Sequence, residues 1–157
     1  SASYPQSVVQ RCIIHQLRNT FKYVSYKDSK ELMKDFKLVY KAINESEALS
    51  ALDVVEEKWG KKYPTAIRIW KYNWDVISPF FNFPQEIRTI MYTTNIIEGV
   101  NRQFRKVTKT KSTLPSDESL LKLLYLASQN IMKKWTISYR NWDSIYNQLS
   151  IFFDGRI

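Results

Sequence analysis

The sequence predicts a mainly α-helical protein, and three observations lead to that prediction. Apolar residues recur at helical spacing through most of the 157 residues. Only three glycines and five prolines are present, which is too few for the tight turns that many short strands require. With 44% apolar and 15% aromatic residues, the chain can still bury a substantial core.

The first predicted element is a strand over residues 7–12, which follow Pro5 and are rich in β-branched side chains. Apolar residues then recur at helical spacing from Ile13 to Val24, and this pattern predicts a helix. The N-terminal segment is therefore expected to be a strand followed by a helix.

Three helices are predicted to follow over residues 25–75. Asp28 is the expected start of the first, Ser46 opens the second, and Gly60 ends it. Pro64 suits the first turn of the third helix. Within residues 25–60 six lysines face eight acidic residues, so the positive surplus of the chain lies elsewhere.

The remaining pattern predicts an aromatic segment over residues 74–83 and a helix over 84–90. A further helix is expected to start at residues 92–95 and to run to about residue 108. Residues 108–117 are polar and contain Pro115, which indicates a loop. Two more helices are predicted over residues 118–135 and 142–153.

The charge balance and the rare residue types restrict the chemistry. Twenty-four Lys and Arg stand against 15 Asp and Glu, and this net charge of +9 favours a polyanionic partner such as nucleic acid. One cysteine excludes an internal disulfide, and one cysteine together with one histidine cannot supply the four ligands of a closed Cys/His zinc site. Because Cys and His are so rare, any metal ion would have to be bound by carboxylates. No run of about 18 apolar residues is present, so we expect a soluble, intracellular protein.

The most informative stretch covers residues 92–106. At about 100° per residue, an apolar face falls opposite a narrow sector that holds Glu98 together with Arg102, Arg105 and Lys109. One interpretation is an ordinary surface helix, in which Asn95 caps the N-terminus and Glu98 pairs with Arg102. The other makes Glu98 a metal-binding carboxylate beside cations that hold a phosphodiester backbone. The spacing alone leaves both open.

A second constellation contains Cys12 and His15. Cys-x-x-His without a second half is a poor zinc site, and no orienting group for a Cys-His nucleophile pair is evident. Spacing therefore favours Cys12 as a packed side chain and His15 as a hydrogen-bonding or phosphate-contacting one.

Taken together, the two stretches resemble the Mutator-type transposases of bacterial insertion sequences. The first family motif is matched by Tyr4, Pro5, Ser7, Gln10, Cys12 and His15. The second is matched by Tyr92, Thr93, Thr94, Asn95, Ile97, Glu98, Asn101, Arg102, Arg105 and Lys106. Two long motifs in the right order make the resemblance far more specific than either motif alone.

The resemblance implies the C-terminal portion of a ribonuclease H-like (α/β) catalytic domain that carries an all-helical insertion. Residues 1–24 would be the last strand and helix of the core, residues 25–91 the insertion, and residues 92–157 the C-terminal helices of the core. Glu98 would be the catalytic, metal-binding glutamate of an Asp-Asp-Glu triad that uses Mg²⁺ or Mn²⁺. Both aspartates would lie upstream of Ser1, so the 157 residues alone are expected to be inactive.

The implied activity is that of a DNA transposase, which cleaves phosphodiesters and transfers strands at transposon ends. The implied partners are double-stranded DNA, which supplies both the transposon ends and the target, and further copies of the protein. The implied location is the cytoplasm of a prokaryote, at the nucleoid. The residues expected to bind DNA are Arg102, Arg105, Lys106, Lys109, Lys111, Arg18 and Trp74, of which Trp74 would stack on a base. Motif residues expected near the site are Cys12, His15, Asn95 and Asn101.

Two other functions are compatible with the residues themselves. A non-catalytic helical module could use the basic stripe to bind nucleic acid, with Glu98 only capping its helix. A helical scaffold could join protomers through the aromatic-rich segment over residues 74–83.

Overall fold

A computed structural model describes residues 5–93, 96–111, 113–136 and 139–156 of the protein. Within those ranges every regular element is helical, which confirms the prediction of a mainly α-helical chain. The strand predicted over residues 7–12 is wrong for this structure. A strand needs a neighbour for its backbone groups, and among the described residues the only backbone hydrogen bond from this segment to a distant part of the chain is that of 2.6 Å from the Arg11 amide to the Val76 carbonyl.

The chain divides into two compact units, an N-terminal unit (Ser1–Tyr92) and a C-terminal unit (Thr93–Ile157). In the described part of either unit, no helix is both long and apolar enough to cross a membrane.

The N-terminal unit consists of short helices joined by tight connections. Its α-helices are α1 (Ile13–Phe21), α2 (Tyr26–Tyr40), α3 (Glu45–Trp59), α4 (Pro64–Tyr72), α5 (Trp74–Ile77) and α6 (Gln85–Thr93), and a 3₁₀ helix covers Ser78–Asn82. Pro64 occupies the first turn of α4, as predicted. The next helix was predicted to start at residues 92–95, but Tyr92 and Thr93 instead end α6.

The core of the N-terminal unit is centred on Trp70, which is completely buried. Its ring stacks on Phe36 of α2 at 4.7 Å between centroids. Its indole Nε1 donates to the Thr20 hydroxyl at 2.7 Å, and that hydroxyl donates in turn to the Gln16 carbonyl at 2.8 Å. The side-chain amide of Gln16 donates to the backbone carbonyl of Ile69 at 3.0 Å. Helices α1, α2 and α4 are thus held together by a buried site whose polar groups are paired.

Two predicted helix starts need correction. Helix α2 is capped by Ser25 rather than Asp28, and α3 is capped by Asn44, whose side chain accepts from the Glu47 amide at 2.9 Å, rather than by Ser46. Gly60 does cap the end of α3, but with right-handed backbone angles. A Cβ atom at this position would lie 2.5 Å from the Glu56 carbonyl oxygen. Glycine is therefore favoured because the backbone of Glu56 is so close, and not because the position requires a left-handed conformation.

A buried arginine connects α6 to the end of α2. Arg88 is 5% exposed, and its two terminal nitrogens donate to the carbonyls of Ala42 at 2.7 Å and Ile43 at 3.0 Å. Its guanidinium also lies 5.8 Å from the ring centroids of both Phe80 and Phe81. Burial lowers the pKa of this guanidinium, and the carbonyls and ring faces partly compensate for the hydration that it gives up.

The C-terminal unit contains α7 (Ile96–Thr108), α8 (Asp117–Lys134) and α9 (Trp142–Phe152). Helix α7 packs against α8. The loop predicted between them is confirmed, and the Lys111 amide donates to the Thr108 carbonyl at 3.1 Å at its start. Ser116 caps α8 by accepting from the Ser119 amide at 3.2 Å. Asn95, the predicted cap of α7, lies outside the described residues.

An acidic side chain in the first turn of α2 joins that helix to the segment after α3. The Asp28 carboxylate, 16% exposed, lies 2.5 Å from the Lys62 Nζ and accepts hydrogen bonds from the hydroxyls of Tyr63 and Ser25. The donors, Lys62 first and then Tyr63, lower the pKa of Asp28 from 3.8 to about 2.

This shift predicts a loss of stability in acid. Since the pKa is lower in the folded state, the stabilisation is complete above about pH 3.8 and is lost as the pH falls toward 2. The melting temperature of the wild type should exceed that of Asp28→Asn above pH 4, and the difference should shrink toward pH 2. Lys62→Met should reduce this pH dependence, whereas Lys61→Met, a change at the neighbouring lysine, should preserve it. A difference between wild type and Asp28→Asn that does not vary with pH would contradict the assignment.

Candidate nucleic-acid interface

Helix α7 separates its apolar and charged side chains onto two sides. Val100, Phe104 and Val107 are half-buried, as expected for the side that packs on α8. Ile97, predicted to belong to the same apolar face, is 67% exposed in the first turn. The apolar face is therefore shorter than the sequence pattern, and burial is limited to the later turns of the helix.

The cations of α7 and of the loop after it are exposed, and they are Arg102, Arg105, Lys106, Lys109 and Lys111. Among the described residues no carboxylate lies within 4 Å of any of their charged nitrogens. The proposed surface pair between Glu98 and Arg102 is therefore not formed. Residues 99–116 contain no Asp or Glu, so the sequence supplies no acid along this stretch.

Two lysines of the N-terminal unit, Lys58 and Lys71, are instead paired with carboxylates. Lys58 lies 2.8 Å from Glu31 and 2.9 Å from Asp35, and Lys71 contacts Glu56 and lies 3.5 Å from Asp53. The carboxylates there neutralise their cationic neighbours in a network across α2, α3 and α4. The basic surplus that remains available to an anionic partner is most concentrated on α7.

Glu98 lies in the first turn of α7 and is partly exposed. A carboxylate is stabilised at this end of a helix by the partial positive charge of the unpaired amides. Arg102 and Arg105 follow it at intervals of four and three residues, which places the three side chains on the same side of the helix. Asn101, a residue of the same motif, is exposed.

Two residues of the N-terminal motif, Cys12 and His15, lie at the start of α1. Cys12 occupies the N-cap position, where its carbonyl accepts from the Gln16 amide at 3.0 Å, and its side chain is partly exposed. His15 and Arg18, three residues apart on α1, are both exposed. These residues belong to the N-terminal unit and Glu98 to the C-terminal unit, and their roles stay predictions.

Trp74 is held within the N-terminal unit. Its indole Nε1 donates to the Glu45 carboxylate at 2.9 Å, and its ring stacks on Phe81 at 5.9 Å between centroids. The side chain is partly exposed, so stacking on a base also stays a prediction.

The aromatic segment does not form the exposed face that the scaffold hypothesis required. Ile77, Phe80, Phe81 and Phe83 are all buried, because the short helix α5 and the 3₁₀ helix fold these side chains inward.

The described residues hold no group of three or more His, Cys, Asp or Glu side chains that could bind a metal ion. Asp28 and Asp35 are engaged with Lys62 and Lys58, and Asp53 lies beside Lys71. These three aspartates are therefore engaged in ion pairs within the N-terminal unit. Glu98 alone does not constitute a metal site, so the residues present do not fit a bound Mg²⁺ by themselves.

Two exposed tryptophans were not predicted from the sequence. Trp59 and Trp70 are buried, as their helical spacing predicted, but Trp135 is 55% exposed and Trp142 is 44% exposed. Trp135 directly follows Lys133 and Lys134 at the end of α8. This run of two cations followed by an aromatic residue is the sequence feature that could have indicated an exposed tryptophan.

A helical unit with an exposed stripe of cations that no described carboxylate neutralises is typical of the nucleic-acid-binding class of proteins. Comparison with known sequences identifies the family. Residues 1–138 match the model of the transposase Mutator family, and the chain belongs to that family.

Its relatives include a probable transposase for insertion sequence element ISRM3-like of Sinorhizobium fredii, which is 38% identical over 157 residues. The transposase for insertion sequence element ISRM3 of Rhizobium meliloti is also 38% identical over 157 residues. In both comparisons 99% of this chain matches 39% of the relative. A probable insertion-sequence transposase of Corynebacterium diphtheriae is 40% identical over 134 residues, which cover 85% of this chain and 39% of the relative. The chain thus spans 39% of the length of these curated relatives.

The exposed cations of α7 predict a salt-dependent interaction with DNA. Arg102→Glu/Arg105→Glu should weaken binding of a short duplex at low salt, and the slope of log K against log salt should become shallower by about 0.9 for each phosphate that is no longer neutralised. The binding constant can be measured by fluorescence anisotropy over a range of salt concentrations. Lys27→Glu/Lys30→Glu on α2 has the same spacing and changes the net charge equally, so it should have a much smaller effect. Equal weakening in the two double variants would show that only total charge matters.

Proposed function

We propose that the chain is part of a DNA transposase that performs metal-dependent phosphodiester cleavage and strand transfer at transposon ends. The observation that carries this proposal is the exposed cationic stripe of α7, with no described carboxylate within 4 Å, following the motif glutamate Glu98. Membership of the Mutator family of transposases supports it independently. The substrate in this proposal is double-stranded DNA, because exposed Lys and Arg side chains neutralise and contact the phosphates of its backbone.

In this proposal Glu98 supplies one carboxylate to the reacting site. Two-metal displacement at phosphorus requires several carboxylates from separate elements, and we place the other two on the aspartates that the family resemblance puts upstream of Ser1. We also assign the complete catalytic domain to the ribonuclease H-like class, with residues 25–91 as its helical insertion.

The side chains of α7 would act by positioning the DNA. Arg102 and Arg105 lie on the same side of the helix as Glu98, one turn and two turns further along. Phosphates held by these guanidinium groups would be fixed near the carboxylate, and fixing the reacting group is a large part of catalysis in phosphoryl transfer. Contacts to phosphates carry no sequence information, so recognition of particular ends would need other residues.

The complete protein is proposed to act as a homo-oligomer in the prokaryotic cytoplasm, at the nucleoid. A reaction that joins two transposon ends to one target places several DNA segments together, which favours more than one protein copy.

A matched pair of variants tests the catalytic assignment. In the complete protein, Glu98→Gln should reduce Mg²⁺-dependent strand transfer by about 10²–10³-fold or more, the scale expected for a group acting on the transition state. It should leave DNA binding in place, since the cations remain. Glu118→Gln, at a similar position in the first turn of α8, should retain activity. Joining of labelled transposon ends to a target plasmid measures both.

The outcomes separate the competing functions. Full activity of Glu98→Gln would refute the catalytic role, and DNA binding without any metal-dependent joining by the complete protein would favour the non-catalytic binding module. The 157-residue chain alone is expected neither to cleave nor to join DNA. Strand transfer by it would refute the assignment of the other two carboxylates.

A further inference from the structure

A cleft between α7 and α8 lies within the C-terminal unit and is separate from the Glu98 side of α7. It has a volume of about 170 Å³. Its floor includes Ala127 and Ile131, which are 6% and 9% exposed. Pockets for cofactors and drug-sized ligands generally have volumes of about 300–1,000 Å³, so the cleft is suited to one flat group whose charged substituent lies at the rim.

The rim of the cleft carries cations and amides. Lys106 and Gln103 come from α7, and Lys134 and Asn130 come from α8. Among the described residues no carboxylate lies within 4 Å of either lysine nitrogen. Lys134 also lies in the last turn of α8, where the helix end favours a cation. The two lysines thus offer positive charges to a phosphate. The two side-chain amides can donate and accept hydrogen bonds, so they can pair with the edge of a base.

One wall of the cleft is Trp135. Its backbone amide donates to the carbonyls of Ile131 and Met132, both at 3.1 Å, so its position is fixed by the last turn of α8. Its side chain is nevertheless 55% exposed. A large aromatic side chain on a backbone anchored to the helix end, and open to solvent, is suited to stacking on a flat partner.

We propose that this cleft holds one unpaired nucleotide of DNA, with its base against Trp135 and its phosphate between Lys106 and Lys134. A base in a duplex has both faces covered by its neighbours, so only an unstacked nucleotide can offer a face to Trp135. The proposal rests on the proposed function only in taking the bound nucleotide to be part of DNA. It adds to the duplex contact on α7 a second contact that requires single-stranded DNA.

The test compares Trp135→Ala with Trp142→Ala, a change at the other exposed tryptophan of the unit, which does not line the cleft. The probes are a fluorescein-labelled oligothymidylate and a duplex of the same length. Trp135→Ala should weaken oligothymidylate binding by about 5- to 150-fold, the range that corresponds to about 1–3 kcal/mol of base stacking. Its affinity for the duplex should be unchanged, and Trp142→Ala should bind both probes like the wild type.

Two further variants separate stacking from folding and from charge. Trp135→Phe should retain most of the affinity, because it preserves an aromatic face. Lys134→Gln should weaken oligothymidylate binding more than Lys133→Gln, a change at the adjacent lysine outside the cleft. Far-ultraviolet circular dichroism on each variant verifies the helical fold.

The outcomes distinguish this inference from the proposed function. Equal effects of Trp135→Ala and Trp142→Ala, or equal weakening for the two probes in Trp135→Ala, would overturn the nucleotide site. If duplex binding depends on Arg102 and Arg105 while Trp135→Ala binds oligothymidylate normally, only the cleft proposal fails. If the wild type binds neither probe, the DNA contact on α7 and the cleft proposal both fail.

Discussion

The packing of α7 on α8 is the contact on which the functional surface depends. Val100, Phe104 and Val107 are the apolar side chains that α7 can bury, and burying them fixes the rotation of the helix. Once that rotation is set, Glu98 and the arginines that follow it must share the solvent side. The same packing brings Lys106 to the edge of the cleft, opposite Lys134. A single amphipathic helix thus places one set of charges toward a proposed DNA duplex and another at a proposed nucleotide site.

The two units use their charges in different ways. In the N-terminal unit several carboxylates neutralise lysines between helices, as with Asp28 and Lys62, and buried polar groups around Trp70 are hydrogen-bonded to one another. In the C-terminal unit, residues 99–116 contain cations without any acid. Surface ion pairs contribute only about 0–1 kcal/mol each, so the lack of acids on α7 has a small effect on stability. It leaves the positive potential available to phosphates, which fits a protein of the transposase Mutator family.

Local sequence patterns predicted most of the helices but not the features set by tertiary contacts. Pro64 placed the start of α4 correctly, and the α7 periodicity placed the body and end of that helix but not its start, because such signals act within a few residues. Ser25 and Asp28 each fit a helix start, and the structure places Asp28 in the first turn of α2, where its carboxylate contacts Lys62 and Tyr63. Residues 7–12 have strand composition but no paired neighbour in the described chain. The exposure of Trp135 depends on what packs against it, which helical spacing cannot reveal, and so the α7–α8 cleft was not predicted.

The central claim is that α7 presents the surface that meets DNA. Amide chemical-shift mapping of the ¹⁵N-labelled protein during titration with a short duplex tests it most directly, because every residue reports separately. The account predicts that the largest shifts lie on α7 around Arg102 and Arg105 and in the loop after it, and that they diminish as salt is added. Shifts concentrated on α2, α3 and α4, with α7 unchanged, would contradict it.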